Sequence, residues 1–274
     1  MKNLETKKLN ILFIGDVFGK PGIDKIIQHL DQIKKEHQID FVIAQAENVS
    51  GRKGLVPKDY EKMKTIGIDA FSLGNHVWAK DEILKIIDNP DIVRPLNVDD
   101  EYPGQGSQVF LVNDCKVRLT TLLGISFNPL NLPWKQSKAN NFFDAIDQII
   151  KTDQSDFHII DFHAETTSEK NVLALYLDGK AAALIGTHTH VQTNDAKILD
   201  YNLAYITDAG MTGPANAAIG ANFQEVYEKM RYDKVVAFKV SKNPTQFNGV
   251  VLKLSKNQKS EIITIKIDYY FKHS

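Results

Sequence analysis

Three short apolar runs separated by helical patterns constrain this chain more than any other feature. NILFIGD (10–16), IDFVIAQAEN (39–48) and DAFSLGNH (69–76) alternate with one segment opening at Pro21-Gly22 and another running from Pro57 to Ile66. In the first segment Ile23, Ile26, Ile27, Leu30 and Ile33 recur at three and four, a single apolar stripe that ends near His37. Strand–helix–strand units of about 30 residues are the size of parallel strands joined by helical crossovers.

Beyond a helix expected around 80–88 the pattern changes. SQVFLVND and CKVRLTTLLG (107–124) predict a hairpin turning at Asn113-Asp114, and a polar loop (126–141) precedes the helix FFDAIDQII. FHIIDFH (157–163), AAALIGTHTH (181–190) and LAYITDAG (203–210) predict strands, as do KVVAFKV, GVVLKLS and EIITIKIDYYF in the last forty or so residues. Many strands with peripheral helices suggest two packed sheets flanked by helices. With no internal repeat, low-complexity tract or linker, residues 1–274 are expected to form one domain.

Composition narrows the function. Lys and Arg total 33 against 34 Asp and Glu, so no basic footprint marks a long nucleic acid or a membrane surface. Cys115 is the only cysteine, which excludes an intrachain disulfide and a thiolate zinc site. The opening MKNLETKKLNILFIGD lacks the apolar core of a signal peptide, so a cytoplasmic location is expected.

The chemistry lies in the residues that terminate each apolar run. NILFIG is followed by Asp16, FVIAQA by Glu47 and Asn48, FSLG by Asn75 and His76, HIIDF by His163, and ALIGT by His188 and His190. Ligands of open α/β sheets bind beyond the carboxyl ends of the strands. Five such ends converging would gather more donors than one tetrahedral ion needs, but enough for two ions. Oxygen and nitrogen ligands without thiolate suit Mn, Fe, Zn or Co. Residues two apart on a strand share a face, so His188 and His190 would meet neighbouring ions if the chain stayed extended through Thr189.

GNH (74–76), the isolated His163 and the HTH of GTHTH resemble the second half of the calcineurin-like metallophosphoesterase signature. More closely, GDVFGKPG, AENVSGRKG, LGNHVW, DFHAETTSEK, GTHTHVQT and TDAGMTGP resemble the bacterial YmdB-type phosphodiesterase subfamily, from about residue 10 to 230. The first motif departs from the wider superfamily: Asp16-Val17-Phe18 lacks the usual histidine. Glu47 stands where a bridging Asp is usual, and Asn48 follows it. Both departures belong to the subfamily. The resemblance implies an α/β fold, a four-layer α/β/β/α sandwich of two mixed sheets. It also implies that Asp16, Glu47, Asn48 and His190 hold one ion. Glu47 would bridge to a second ion, held also by Asn75, His163 and His188, and His76 would stay free of metal. The expected cofactor is two divalent or trivalent ions per chain, Fe or Mn ahead of Zn or Co.

The expected activity is that of a metal-dependent phosphodiesterase on a small cyclic nucleotide, with 2′,3′-cyclic monophosphates the implied preference. A hydroxide between the metals would attack phosphorus in line, and His76 would protonate the departing ribose oxygen. Another phosphoester (a phosphomonoester, a phosphoprotein or an RNA end) and a non-catalytic metal- and nucleotide-binding sensor are the alternatives. A homo-oligomer is compatible with the sequence.

Other residues read two ways. A solvated loop explains Arg52 and Lys53 at least as well as a phosphate contact does. Glu165 either orients a ligand or belongs to a helix cap, and Asp208 either holds a ligand histidine or forms a turn. Trp134 covers a base or, more simply, is surface. His158 reads as a hydrogen-bonded structural residue, His29 and His37 as solvated helix positions, and His273 as part of the tail.

Overall fold

Most of the expected runs become elements in the computed structural model, which describes residues 7–268. The first apolar run forms β1 (Lys8–Ile14), followed by the two-residue β2 (Asp16–Val17). Helix α1 (Gly19–His37) starts at Gly19 rather than Pro21, which leaves Pro21 in the first turn where its missing N–H costs nothing. β3 (Phe41–Gln45), α2 (Pro57–Thr65) and β4 (Ala70–Ser72) follow. The helix expected around 80–88 is only a 3-10 turn, Asp81–Lys85, because the chain must bend sharply into β5 (Ile92–Val93) beside β4.

The hairpin forms as expected from β6 (Ser107–Val112) and β7 (Cys115–Leu123), with Asn113 and Asp114 both at positive φ. Asn141 caps α3 (Phe142–Ile150) by accepting the N–H groups of Phe143 and Asp144. Then come β8 (Phe157–His163), α4 (Thr167–Leu177), β9 (Ala183–Thr187), β10 (Lys197–Ile198), β11 (Ala204–Ile206) and β12 (Met211–Pro214). Helix α5 (Phe223–Tyr232), β13 (Thr245–Ser255) and β14 (Glu261–Ile267) complete the described chain. KVVAFKV (234–240) is not a strand; it is irregular, with one bridge from Val240 to Ala221. An apolar run shows what a segment could pair with, but not whether a sheet edge is free to take it. The end of the EIITIKIDYYF run and His273 lie outside the described residues.

One sheet has the order β2-β12-β13-β1-β3-β4-β5 with β14 added on β13, and the other β10-β11-β9-β8-β7-β6. The period-two alternation of the strands divides their side chains between layers. Leu9, Ile11 and Phe13 of β1 pack with Val117, Ile159 and Ile185 of the second sheet. Leu12 and Ile14 turn the other way, onto Ile23, Ile26 and Leu30 of α1. Ile160 and Phe162 of β8 likewise meet Ile146 of α3 and Leu173 of α4. The result is a four-layer α/β/β/α sandwich. β1, β3 and β4 are parallel, as are β7, β8, β9 and β11, so the carboxyl ends within each sheet point one way.

At the amino end of β8, Arg118 Nε donates to Asp153 Oδ1 (2.8 Å), and His158 Nδ1 lies 3.3 Å from Oδ2. Burial opposes charge on Asp153, but the neighbouring His158 ring and hydrogen bonds from Arg118 and Ser155 hold its carboxyl well below the usual range. A carboxyl lowered in the folded state stabilises above its unfolded pKa, and that stabilisation fades as pH falls through the folded value. Asp153→Asn is therefore expected to lower the thermal midpoint by roughly 2–6 °C at neutral pH. The gap to the parent protein should shrink below about pH 4; a gap independent of pH in thermal melts would rule the charge out as its cause.

Candidate metal centre

The five strand ends meet. Asp16, Glu47, Asn48, His163 and His190 are buried there, and Asn75, His76 and His188 are half-buried. His163, the last residue of β8, is the hub. Its Nε2 lies 2.9 Å from Glu47 Oε1, 3.0 Å from Asn75 Oδ1 and 3.0 Å from His188 Nδ1. Around His190 Nε2 stand Asn48 Nδ2 at 3.4 Å and Asp16 Oδ1 at 3.7 Å.

The expectation that His188 and His190 share one face of an extended strand is not met. β9 stops at Thr187, and both histidines take positive φ, 99° and 65°. Such conformations cost roughly 1–3 kcal/mol each in non-glycine residues and persist only where the surroundings impose them. Here Asp208 Oδ2 accepts both the backbone N–H (3.1 Å) and the hydroxyl (2.8 Å) of Thr189. Lys170 Nζ donates to Asp208 Oδ2 (3.0 Å) and Thr187 O (2.9 Å), and His188 N–H donates to Asp16 Oδ2 (3.1 Å). The pinned turn sends His188 toward His163 and His190 toward Asp16.

Each histidine has its outward nitrogen held by an oxygen and its inward nitrogen turned to the cluster. His163 Nδ1 lies between Thr187 Oγ1 (2.9 Å), whose hydroxyl donates to Asp161 Oδ1 (2.7 Å), and Gln45 Nε2 (3.2 Å). His190 Nδ1 donates to Ile219 O (3.0 Å), and His188 Nε2 lies 3.0 Å from the exposed Glu165 Oε2. At His190 and His188 such outer oxygens favour the tautomer that presents a lone pair inward, as metal-binding histidines require.

The residues present fit a cation. Asp16 Oδ1 is buried with no hydrogen-bond partner among the described residues, a costly arrangement unless a cation completes it. Burial pushes the Asp16 carboxyl up, against His190 and His163. Burial also opposes charge on Glu47, yet His163 and His76 hold its carboxyl well below the usual range. Burial disfavours the His163 imidazolium, but Glu47 and Asp16 prevail and raise its pKa to about 9. In the metal-free chain a proton on His163 thus supplies the positive charge that the carboxylates call for. By contrast, burial and then neighbouring His163 push His188 down to about 2, and burial pushes His76 down to about 4. Ligand atoms of Glu47, His163 and His188 all lie within 4.8 Å of one another. All the donors are oxygen or nitrogen, a set suited to hard or borderline ions.

His76 stands beside the cluster: its backbone N–H donates to Glu47 Oε2 (2.8 Å), and the residue lines a cavity of about 700 Å³. Arg52, Lys53 and Glu165 line the same cavity. Thr166 caps α4 by accepting the Glu169 N–H, so the TTSEK stretch serves as a helix start while Glu165 orients His188.

Trp134 is neither surface nor a cover for a base. It is buried against Trp78 and Tyr102, and its Nε1–H donates to Asn75 O (2.7 Å), which holds the Asn75 loop in place. His158 is buried and bonded to Thr120 Oγ1 at 2.8 Å, as a structural residue should be. Gln45, Asp161, Thr187 and Lys170 were not legible as site residues. Their only signal is a polar residue in an otherwise apolar strand or helix face.

A sequence profile of the family described as YmdB-like protein matches residues 12–266. The chain belongs to that family. A 2′,3′-cyclic-nucleotide 2′-phosphodiesterase of Bacillus subtilis strain 168 is 38% identical over 269 residues, covering 96% of this YmdB-like chain and 99% of the relative. The crystal structure of a novel phosphatase from Mycoplasma pneumoniae matches with a TM-score of 0.88 at 40% identity, covering 96% of this chain and 95% of that one. The crystal structure of a hypothetical protein from Thermus thermophilus matches with a TM-score of 0.86 at 32% identity, covering 95% and 100%.

Proposed function

We propose that this YmdB-like protein hydrolyses 2′,3′-cyclic nucleoside monophosphates at a two-ion centre. The chain is a phosphoric ester hydrolase, as its relatives are named. One observation carries the metal reading: His163 and His190 turn their inward nitrogens to the buried carboxylates of Glu47 and Asp16, His188 Nδ1 meets them at His163, and Asp16 Oδ1 has no hydrogen-bond partner among the described residues. Asp16, Glu47, Asn48 and His190 would hold one ion. Asn75, His163 and His188 would hold the other, with Glu47 shared. The cyclic-nucleotide substrate is supported by the name of the Bacillus relative, which also favours the 2′ oxygen as leaving group.

When bound, the ions would polarise the phosphoryl oxygens and make water a better nucleophile at neutral pH. The chain's own groups do the rest. Arg52 and Lys53 place positive charge on the cavity wall where a phosphate would enter. His76, held through its backbone by Glu47, is the group free to carry a proton to the leaving ribose oxygen. A phosphate anion beside its ring favours the imidazolium that burial alone disfavours. We place this activity in one domain spanning the chain and in the cytoplasm. No helix among the described residues is long and apolar enough to cross a membrane.

The test is release of nucleoside monophosphate from 2′,3′-cyclic AMP by metal-stripped protein, with and without Mn²⁺. Release is expected only with metal, and as the 3′-monophosphate. No release from protein that nonetheless binds two ions per chain would overturn the cyclic-nucleotide reading and leave another phosphoester or a sensor role.

A further inference from the structure

The cavity beside the metal cluster has a second wall of opposite character. It is built by α5, the turn at 218–221 and Phe238. On that wall Phe223 is 62% exposed, Met230 83% and Ile219 58%, while Val226 is the only buried residue of α5. Large apolar side chains left facing a pocket are surface that a ligand can cover. The Phe223 and Tyr227 rings lie parallel to within 26° at 5.4 Å, and the Arg52 guanidinium sits 5.2 Å from the Phe238 ring centre. Ile219 joins the two halves, because its carbonyl holds His190 while the residue lines the apolar wall.

Charge at one end and flat apolar faces at the other complement a phosphate ester joined to an aromatic heterocycle. We propose that Ile219, Phe223, Tyr227, Met230 and Phe238, with Arg52, form a subsite for the base of the nucleotide. This proposal rests on the phosphodiesterase reading and adds to it the source of substrate choice. The metal cluster recognises a phosphoester, and the α5 wall selects one that carries a base. Every base has a π-face, so stacking of this kind distinguishes poorly among the four bases. It distinguishes strongly against a cyclic phosphate that has none.

Glycerol 1,2-cyclic phosphate has the same strained five-membered ring without a base. The experiment compares kcat/KM for it and for 2′,3′-cyclic AMP in the Mn²⁺-loaded protein. The parent protein is expected to prefer the nucleotide. Phe223→Ala should lower the ratio of the two constants by at least about tenfold, through KM for the nucleotide. Phe223→Tyr, which keeps the ring, should restore it. Equal use of both esters by the parent protein, or an unchanged ratio in Phe223→Ala, would overturn the subsite and leave the phosphodiesterase reading standing. Cleavage of neither ester would remove both.

Discussion

His76→Ala is expected to lower turnover of 2′,3′-cyclic AMP by roughly 10²–10⁴-fold, the usual span for loss of a general acid or base. The bound metal should be unchanged. His76 lines the cavity, yet its tie to the cluster is through its backbone N–H on Glu47 Oε2. Truncating the side chain leaves that hydrogen bond in place, so Glu47 keeps its position. Metal content by elemental analysis, measured beside steady-state turnover, separates the proposed role from a structural one. Turnover like that of the parent protein would remove His76 from the mechanism. Loss of metal together with turnover would instead make it part of the centre's scaffold.

Gly74→Ala should be nearly as damaging although the residue carries no functional group. A Cβ at this position would stand 2.4 Å from His163 Cδ2 and 2.5 Å from Glu47 Oε2. Neither neighbour is free to give way. His163 is held by Thr187, Gln45, Asn75 and Glu47, and both residues are buried. Overpacking of this sort costs about 1–3 kcal/mol, and a displacement near 1 Å at a reacting site can cost about 10²-fold in rate. We expect kcat/KM to fall by about that factor, with weakened metal binding in a competition titration. A variant with the parent protein's metal affinity and rate would show that the backbone at Gly74 can shift without moving His163 or Glu47.

The two substitutions mark where the sequence was informative and where it was not. His76 stood out as part of GNH after a strand pattern. Gly74 in the same tripeptide gives no sign that its missing side chain makes room for Glu47, just after β3, and His163, at the end of β8. His188 and His190 were conspicuous, but the reason they reach the cluster was not. The alternation of ALIGTHTH suggests an extended strand, whereas Asp208 and Lys170 pin Thr189 and force both histidines to positive φ. Trp134 looked like surface in a polar loop, yet it packs beneath the Asn75 carbonyl. KVVAFKV had the pattern of a strand and is irregular, with Phe238 facing Arg52 instead.

The sequence alone displays the alternating strands and helices of the first half, most of the strands of the second, and the oxygen and nitrogen donor types at five strand ends. These depend on local periodicity and on residue identity, which a linear chain displays. The packing of distant segments sets which nitrogen of each histidine faces inward, leaves Asp16 Oδ1 without a hydrogen-bond partner among the described residues, and makes α5 a wall of the cavity. Those facts depend on partners from distant segments, such as Ile219 for His190 and Thr187 for His163. Such pairings exist only once two sheets have packed and brought their carboxyl ends together.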